Sequence, residues 1–508
     1  MGNSVLRLIS SFLSRLLPAS AQWRWALVVV LLLHVVWGAV MGLSVDEAHY
    51  ALYAAHPAWS YFDHPPLVGW VQWPLVALDA PVFVLRLVPG ALWLATVLLV
   101  YRVAEHMRAG AGVGALLSLL LAPLLHVLAI GLLPDSLLML FSAALMHQLM
   151  FLMQRDAQRV WRRWLVLGVL LGLAGLSKYT AIFSALAVAA CLVRAHGWQV
   201  LRSAKPWTSV AIAAVLVLPV AYWNAQNQWI SFTYQAKHGA GGGWQVLHVV
   251  QFLILQALAF GPLLWWGWGG VRRVSSGRLR WLLGFFLIPF LVFTVLSGGG
   301  SGLPHWTAPA WVALAPFAGV GLAHALQTDQ RRWVIGLMTV QALLCIALPL
   351  MMASGGMPFM QGRVANAQSS DPPNPFADLH GWDLAGATAL RLAREQGLSS
   401  VSVQNWTLGS RIGWYARPLK IHVLEDRFDQ FDLWAGDLPV GASTLLVDWS
   451  QMSYAVPLGA HGFAQCTPLA QQTVTRLGFT LAEFRFSACT GWSGNPQPKL
   501  LHDLGNTP

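Results

Sequence analysis

Acidic side chains are concentrated in one segment of this chain, residues 44–83. The segment carries Asp46, Glu47, Asp63 and Asp79 and contains no Lys or Arg. Apolar runs flank it, so these carboxylates stand beside a membrane if those runs cross one. Charges at that depth are costly unless they face water or a substrate. The pattern therefore predicts a polar site in which a carboxylate accepts or orients a proton.

Asp46 and Glu47 suit different roles. Ser44 to Glu47 matches the capping box Ser-x-x-Glu, in which the glutamate satisfies the start of a helix. A cap explains Glu47 but does not require Asp46. We therefore expect Asp46 to act as a general base. A catalytic role for Glu47 stays open beside the cap.

Asp63 and His64 precede two prolines, Pro65 and Pro66. Asp63 could cap a helix over 65–78, with proline as its first residue. Alternatively, the adjacent carboxylate and imidazole hold a divalent metal ion or a phosphate. Spacing does not choose between these roles. A divalent metal ion is the one cofactor that the sequence suggests.

Three further ionisable residues stand where apolar runs end. Asp135 follows Pro134 and is either a helix N-cap or a catalytic carboxylate. Lys178 is the only charge between residues 164 and 193, and it either snorkels to the interface or binds a phosphate. His305 follows the glycine-rich segment 297–302, a loop flexible enough to move over a ligand.

The composition requires a membrane. Of 508 residues, 56% are hydrophobic and only 10% are charged, whereas soluble domains contain about 25% charged residues. The net charge of +11 could suggest a nucleic-acid partner. However, the basic residues form short clusters between apolar runs, without the interleaved aromatic residues of a single-strand binding surface. We therefore expect membrane lipids, and no nucleic acid, as partners.

Eleven apolar runs are candidates to cross a bilayer, which takes about 20 residues each. They are 25–43, 84–103, 112–131, 136–153, 164–177, 179–194, 207–223, 246–270, 281–297, 306–325 and 333–353. The fifth and sixth form one stretch that we divide at Ser177-Lys178-Tyr179. This division leaves 18 Lys and Arg residues inside and only Lys178 and Lys237 in outside loops. The sequence thus predicts a membrane domain over 1–353, a periplasmic first loop over 44–83 and a C-terminus outside.

Residues 354–508 have the composition of a separate α/β domain. A linker over 371–375 precedes a helix over 384–395 and short strands at 401–403, 419–423 and 444–447. Cys466 and Cys489 lie in this domain. If the compartment is the bacterial periplasm, it is oxidising and favours a disulfide over two free thiols.

These residues, in this order, resemble the bacterial membrane glycosyltransferases of the GT-C fold. The group they resemble contains the dolichyl-phosphate-mannose–protein mannosyltransferases and the aminoarabinose lipid A transferase. The motifs are Asp46-Glu47-Ala-His-Tyr50, Tyr61-Phe-Asp-His-Pro-Pro-Leu67, Pro134-Asp135, Leu176-Ser-Lys178 and Leu303-Pro-His305. Trp223-Asn224, Trp229-Ile-Ser-Phe232 and the segment 427–434 resemble further parts of that family.

The resemblance implies a polytopic α-helical protein of the bacterial inner membrane, with about eleven spanning helices and a C-terminal α/β periplasmic domain. It implies transfer of a hexose or pentose derivative from a polyprenyl-phosphate donor to an envelope acceptor, which is lipid A, a glycan or a protein. Together with the residues, it assigns catalysis to Asp46, Glu47 and Asp135. Lys178, His64 and His305 would bind the donor phosphate, and Asp63 with His64 a metal. At the positions of His64 and His305 the aminoarabinose enzymes carry lysine and tyrosine.

Two other functions fit parts of the pattern. One is a transporter or flippase of a lipid-linked sugar, and the other is a glycan polymerase or ligase of the same fold. A transporter would place its charges near the bilayer midplane, often in broken helices with repeat symmetry. Here the charges lie at the ends of the apolar runs, which favours the transferase.

Overall fold

The structure is a computed structural model that describes residues 17–154, 159–300, 302–356, 374–452 and 454–496. These residues form two compact units. The first comprises the chain up to Val36, Pro57–Val71 and Val84–Ala347, and the second comprises Trp37–His56, Gln72–Phe83 and the chain from Leu348. The predicted first loop, residues 44–83, is therefore divided between the two units. The sequence predicted one boundary, at residue 354, and assigned the whole loop to the membrane domain. That boundary stays a prediction.

The α-helices of the described residues are, in chain order, α1 (Ala21–Ala39), α2 (Val45–Ala55), α3 (Leu67–Trp70), α4 (Trp73–Ala77), α5 (Val82–Leu85), α6 (Leu87–Met107), α7 (Gly112–Leu120), α8 (Pro123–Ile130), α9 (Pro134–Leu152), α10 (Trp161–Ser177), α11 (Ala181–His196), α12 (Ala204–Gln226), α13 (Ile230–Ala240), α14 (Val246–Phe260), α15 (Pro262–Val271), α16 (Gly284–Leu296), α17 (Ala308–Ala325), α18 (Arg331–Ser354), α19 (Trp382–Glu395), α20 (Trp406–Tyr415) and α21 (Gln430–Trp434). Short 3-10 turns at Leu279–Leu283 and Pro304–Thr307 precede α16 and α17.

Every predicted span coincides with helical structure. In the described part of the chain, seven helical segments are long and apolar enough to cross a bilayer, or nine if two bent pairs each count as one span. α10 and α11 have 17 and 16 residues, which falls short of the usual crossing. The number eleven is therefore not confirmed. The division of the apolar stretch after Ser177 is confirmed, because one helix ends there and the next begins at Ala181.

Two predicted spans are sharply bent at a proline. α7 and α8 meet at 78° before Pro123, and α14 and α15 meet at 86° at Gly261-Pro262. Proline has no amide hydrogen to continue the helical ladder. Gly261 adopts a φ of +46°, a conformation that favours glycine. Apolar periodicity does not report such bends, so the sequence predicted continuous spans at both places.

The core of the first unit is built around α17. Its Trp311 and Phe317 have no exposed surface. A Cβ added to Gly114 of α7 would lie 2.6 Å from the carbonyl oxygen of Gly319 in α17, so the two backbones approach too closely for a larger residue. Small residues at helix crossings are the usual means of tight packing between membrane helices.

The second unit contains a five-stranded mixed sheet in the order β2-β1-β3-β5-β4. Its strands are β1 (Ser400–Val403), β2 (Lys420–Val423), β3 (Thr444–Trp449), β4 (Phe463–Arg476) and β5 (Phe479–Trp492). β1 pairs in parallel with β2 and β3, whereas β5 pairs antiparallel with β3 and β4. The sequence predicted α19 and β1 to β3 but neither α20 nor the hairpin of β4 and β5. Most of the predicted linker 371–375 lies outside the described residues.

Cys466 of β4 and Cys489 of β5 are directly opposite each other in the hairpin and form a disulfide, with an S–S distance of 2.05 Å. The bridge packs beside a small cluster that includes Phe463 and Trp492. It ties the edge strand β4 to its neighbour β5 in the sheet.

Candidate functional site

In the second unit, α2 begins with the predicted capping box. Ser44 donates from its backbone N–H and from its hydroxyl to Glu47 Oε2, at 3.0 Å each, and Glu47 N donates back to Ser44 Oγ. Glu47 is 6% exposed, whereas Asp46 is only half-buried. The Glu47 carboxylate thus serves the helix start, and Asp46 stands beside it in the first turn.

α2 packs against α20, a helix more than 350 residues further along the chain. His49 Nδ1 and Ser410 Oγ are 2.9 Å apart, and the Tyr415 hydroxyl accepts a hydrogen bond from Leu43 N at 2.9 Å. Gly42 N also donates to the carbonyl of Leu379 at 2.8 Å. The helix that carries Asp46 is therefore fixed by residues of the C-terminal sequence.

Arg411 of α20 is the charged group beneath this helix. Its side chain is 1% exposed, and its guanidinium stacks 4.1 Å from the ring of Trp382 and 4.8 Å from that of Trp449. It forms an ion pair with Asp378. Burial lowers the pKa of Arg411 to about 9, while the charge of Asp46 acts in the opposite direction. Arg411 thus stays protonated at neutral pH and provides a positive charge for Asp46.

A second group of acids lies near α21. Asp429 caps this helix by accepting from Phe431 N at 2.6 Å, and its side chain is 4% exposed. Burial, together with the nearby carboxylates of Asp432 and Glu425, raises the pKa of Asp429 to about 7, although the hydrogen bond from Phe431 N acts in the opposite direction. Asp429 is therefore partly protonated near neutrality. Asp429 and Asp432 belong to the segment 427–434, which the sequence singled out only through resemblance.

In the first unit, the structure joins two of the predicted site residues. Lys178 Nζ donates to both carboxylate oxygens of Asp135, at 2.7 Å each. Lys178 is 6% exposed and Asp135 is 1% exposed. Lys178 follows the last residue of α10, and Asp135 lies in the first turn of α9 behind Pro134. Asp135 is therefore a counter-ion of Lys178 rather than the N-cap that the sequence allowed.

Beside the ion pair, a hydrogen-bonded network connects the first loop with α12 and α13. The Tyr179 hydroxyl lies 3.4 Å from Ser60 Oγ and 3.5 Å from Asn224 Nδ2. Asn224 Oδ1 accepts from Ser231 N, and Ser231 Oγ donates to the carbonyl of Tyr61 at 2.9 Å. Asn224 and Ser231 fall in motifs noted for resemblance, but nothing in their spacing predicted that they would meet Tyr179.

Asp63 and His64 lie on this network and are half-buried. The carbonyl of Asp63 accepts a hydrogen bond from Gln235 of α13, and the carbonyl of His64 accepts from Tyr61 N. The proposed helix over 65–78 is wrong. The chain forms two short helices, α3 and α4, and no side chain caps α3. Asp63 is consequently not an N-cap.

A metal site at Asp63 and His64 lacks support from neighbouring ligands. Among the described residues, no group of three or more His, Cys, Asp or Glu side chains is placed to hold a metal ion. Two protein ligands are fewer than a zinc site normally has, whereas a magnesium ion is commonly held by one or two carboxylates together with a substrate phosphate. Metal binding at Asp63 and His64 therefore stays a prediction.

His305 lies in the turn Pro304–Thr307, beside a continuous chain of aromatic contacts that we call the aromatic frame. The frame comprises Phe62, Tyr234, His238, Trp306, Phe293 and Phe183. Successive ring centroids are 4.6 to 5.9 Å apart. The frame links the first loop, α13, the turn that holds His305, α16 and α11 by apolar contact.

The glycine-rich segment before His305 is more constrained than its sequence indicates. The carbonyls of Gly298 and Gly299 accept hydrogen bonds from Gln245 N and Gly242 N, at 2.8 Å each. Gly300 has a φ of +84°. Residue 301 lies outside the described residues. The described glycines are thus paired with the segment before α14 rather than free of contacts.

Comparison with known proteins supports one family. Residues 63–223 match the family model of dolichyl-phosphate-mannose-protein mannosyltransferase. A lipid A galacturonosyltransferase of Rhizobium johnstonii, RgtD, is 24% identical over 323 residues, which are 60% of this chain and 65% of that protein. The chain thus spans slightly less than two thirds of this relative.

The overall fold is similar to that of ArnT from Cupriavidus metallidurans. The crystal structure of ArnT bound to undecaprenyl phosphate is 19% identical in sequence, with a TM-score of 0.62 over 94% of this chain and 100% of ArnT. The apo structure gives a TM-score of 0.59 at 18% identity, over 95% of this chain and 100% of ArnT. The family model, the relative and the fold all agree with the resemblance inferred from the motifs: the chain is a membrane protein with the fold of ArnT, and over residues 63–223 it is similar to the protein mannosyltransferases.

Proposed function

We propose that the protein transfers a sugar from a polyprenyl-phosphate donor to an envelope acceptor, with lipid A as the first candidate. Two relatives support this assignment by what they are named for, a lipid A galacturonosyltransferase and an ArnT bound to undecaprenyl phosphate. The observation that carries the proposal is the buried cation Lys178, which lies beside the hydrogen-bonded network of the first loop. A protein of similar fold, ArnT, binds the lipid phosphate undecaprenyl phosphate.

Lys178 is proposed to bind the phosphate of the donor. A lysine ammonium has three N–H donors, and Asp135 accepts two of them. The third can point to a phosphate oxygen. Asp135 balances the charge of the buried ammonium before the donor arrives, because an unpaired buried charge is strongly destabilising. When the bond from the sugar to the phosphate breaks, this cation stabilises the charge on the leaving phosphate.

Asp46 is proposed as the general base. It removes the proton of the acceptor hydroxyl while the acceptor oxygen bonds to the anomeric carbon and the polyprenyl phosphate departs with the bonding electron pair. A single displacement inverts the anomeric centre. Arg411 holds a positive charge near this carboxylate and so favours its ionised, basic form. Glu47 maintains the helix start on which Asp46 depends.

The sugar is proposed to be a hexose or pentose derivative, and the enzyme is proposed to work on the periplasmic face of the bacterial inner membrane. The distribution of Lys and Arg supports an outside C-terminus. The disulfide supports an oxidising compartment, since such bonds are rare in the bacterial cytosol.

The test is a transfer assay with purified protein, lipid A and a series of undecaprenyl-phosphate sugars. We expect a mass increase of lipid A equal to one sugar residue with one donor of the series. Deletion of the gene should remove the same modification from cellular lipid A. If neither lipid A nor any other envelope lipid, glycan or protein changes in mass, the proposed function is wrong.

A further inference from the structure

The first unit contains a basic recess whose residues belong to none of the motifs of the proposed site. It has a volume of 860 Å³ and is lined by Arg194, Ala195, Ser276, Gly277, Arg278, Arg280 and Trp281. The last turn of α11, the segment 276–278 and the turn Leu279–Leu283 form its walls. Its volume is in the range of pockets that bind small molecules, about 300–1,000 Å³.

The walls of this arginine recess are held by specific contacts. The Arg194 guanidinium lies 4.7 Å over the ring of Trp281, and the carbonyl of Trp281 accepts from Cys191 Sγ at 3.3 Å. Arg278 donates to the carbonyl of Met153 and Arg280 to that of Arg272. Each of these hydrogen bonds uses one of the five N–H donors of a guanidinium. Within the described part of the chain no other hydrogen bonds use these guanidiniums, so most of their donors are available to a ligand.

The recess has an excess of positive charge. Three arginines line it, and no Asp or Glu does so among the described residues. The C-terminal end of α11 partly compensates Arg194, since the helix dipole is negative there. Arg278 and Arg280 have no such compensation from a helix end. An anion is the ligand that this charge distribution favours, and the planar fork of arginine matches phosphate in particular.

The surroundings indicate that the anion belongs to a lipid. Trp281 is 46% exposed and Trp198, just beyond α11, is 75% exposed. Exposed tryptophans at the ends of membrane helices lie at the level of the lipid headgroups. Basic pockets between membrane helices on the cytoplasmic side are a known form of anionic lipid site, and the distribution of Lys and Arg places this recess on that side.

We propose that the arginine recess binds the phosphodiester headgroup of an anionic phospholipid. Arg278 and Arg280 make bidentate contacts with the phosphate, and Arg194 with Trp281 forms the wall next to the membrane. The bound lipid connects α11 with the segment before α16. This proposal does not depend on the proposed transferase activity.

The experiment is native mass spectrometry of delipidated, detergent-purified protein titrated with phosphatidylglycerol, with phosphatidylethanolamine or with inorganic phosphate. Arg278→Gln/Arg280→Gln is compared with Arg331→Gln/Arg332→Gln, which removes the same charge from two exposed arginines at the start of α18. We expect the recess variant to lose phosphatidylglycerol affinity by about tenfold or more, and the control variant to change less than twofold.

A further variant, Arg278→Lys/Arg280→Lys, keeps the charge but removes the guanidinium forks. It should lose affinity several-fold, because lysine cannot make the bidentate contact. Equal losses in the recess and control variants would mean that bulk charge alone attracts the lipid, and the proposal would be overturned. It would also be overturned if phosphatidylethanolamine bound as tightly as phosphatidylglycerol, or if inorganic phosphate displaced phosphatidylglycerol at comparable concentration.

Discussion

At the scale of single residues, adjacent acids in this protein have different surroundings and should respond differently to substitution. Glu47 directs one oxygen to the backbone and hydroxyl of Ser44. Asp46, next to it, is half-buried and lies within the field of Arg411. The structure thus gives a physical reason to separate a capping carboxylate from a catalytic one.

Asp46→Asn should lose sugar transfer by a factor of about 100 or more, because an amide cannot accept the proton. Glu47→Gln should keep most activity, since glutamine also serves the capping box. Transfer would be measured with both variants at equal membrane abundance, so that losses of folding are not counted as losses of catalysis. Normal transfer by Asp46→Asn together with an inactive Glu47→Gln would show that the two roles are reversed.

Asp429 should make the stability of the protein depend on pH. Its pKa is raised to about 7 when folded, against about 3.9 for an unfolded aspartate. Between these values the folded state holds a proton that the unfolded state has released. The stabilisation is therefore complete below about pH 4 and is lost as the pH rises toward 7, by about 2–4 kcal/mol in total.

Asp429→Asn should remove this dependence, because asparagine keeps the N-cap and does not titrate. Melting temperatures of wild type and variant, measured between pH 4.5 and 8, should diverge in favour of the variant as the pH rises. Asp437→Asn, at an exposed position nearby, is the matched control and should parallel the wild type. A constant difference across this range would contradict the assignment.

At the scale of elements, function depends on how short helices are joined. α10 and α11 are each too short for a usual crossing, and the break between them places Lys178 opposite the first turn of α9. α2 has eleven residues and is held by hydrogen bonds to α20. In both cases a side chain with a proposed role lies at the end of a helix, and that helix is held by contacts with another helix distant in sequence, α9 or α20.

The contribution of the ion pair between Lys178 and Asp135 to stability can be measured separately from the proposed role of Lys178 in donor binding. Lys178→Met leaves Asp135 buried and unpaired and should cost about 3–5 kcal/mol of stability, as well as donor affinity. Lys178→Met/Asp135→Leu removes both charges and should recover much of the stability while transfer stays low. Thermal melting and the KM for the donor would be measured on the same samples. Recovery of both properties in the double variant would mean that the pair has only a structural role.

The contact between α2 and α20 should also be testable through Arg411. Arg411→Leu removes the partner of Asp378 and the positive charge near Asp46, and should destabilise the protein by about 3–5 kcal/mol. Ser410→Ala, on the same helix, removes the hydrogen bond with His49 and the one to the Trp406 carbonyl but no charge, and should cost about 1–2 kcal/mol. Arg411→Lys keeps the charge, so its transfer rate per folded molecule should exceed that of Arg411→Leu. Equal rates would indicate that the charge of Arg411 does not act on Asp46.

At the scale of the whole molecule, the distribution of basic residues and the position of the disulfide agree on one orientation of the chain across the membrane. The basic clusters fall on one side of the predicted spans, and the disulfide lies in the chain after the last of them. Whether the number of membrane crossings is odd or even decides on which side the C-terminus lies. That number depends on whether each bent pair and each short helix crosses the membrane.

We expect the C-terminus outside. A phosphatase fused to it should be active, and a reporter that works only in the cytoplasm should be silent. Fusions truncated within the turn 178–180 should also give an active phosphatase, because this turn faces outward in the predicted topology. An active cytoplasmic reporter at the C-terminus would require an even number of crossings.

The sequence by itself determined what depends on composition and on neighbours along the chain. The low charge content required a membrane, the three-residue separation of Ser44 and Glu47 specified the capping box, and short runs of strand-forming residues predicted β1 to β3. Each of these follows from forces that act within a few residues or on average over the chain. The hairpin of β4 and β5 was not predicted, because its two-residue turn at Leu477-Gly478 has both residues at positive φ, and leucine is not a residue that indicates such a turn.

Only the tertiary structure decided which distant residues meet. Lys178 and Asp135 are 43 positions apart, and His49 and Ser410 are 361 apart. The sequence held these residues as candidates but gave no distance between them. Arg411 carried no motif, and its burial between two tryptophans is a product of the fold. Pairing across such separations depends on the packing of whole helices, because the free energy of a buried charge is set by its surroundings and not by its position in the chain.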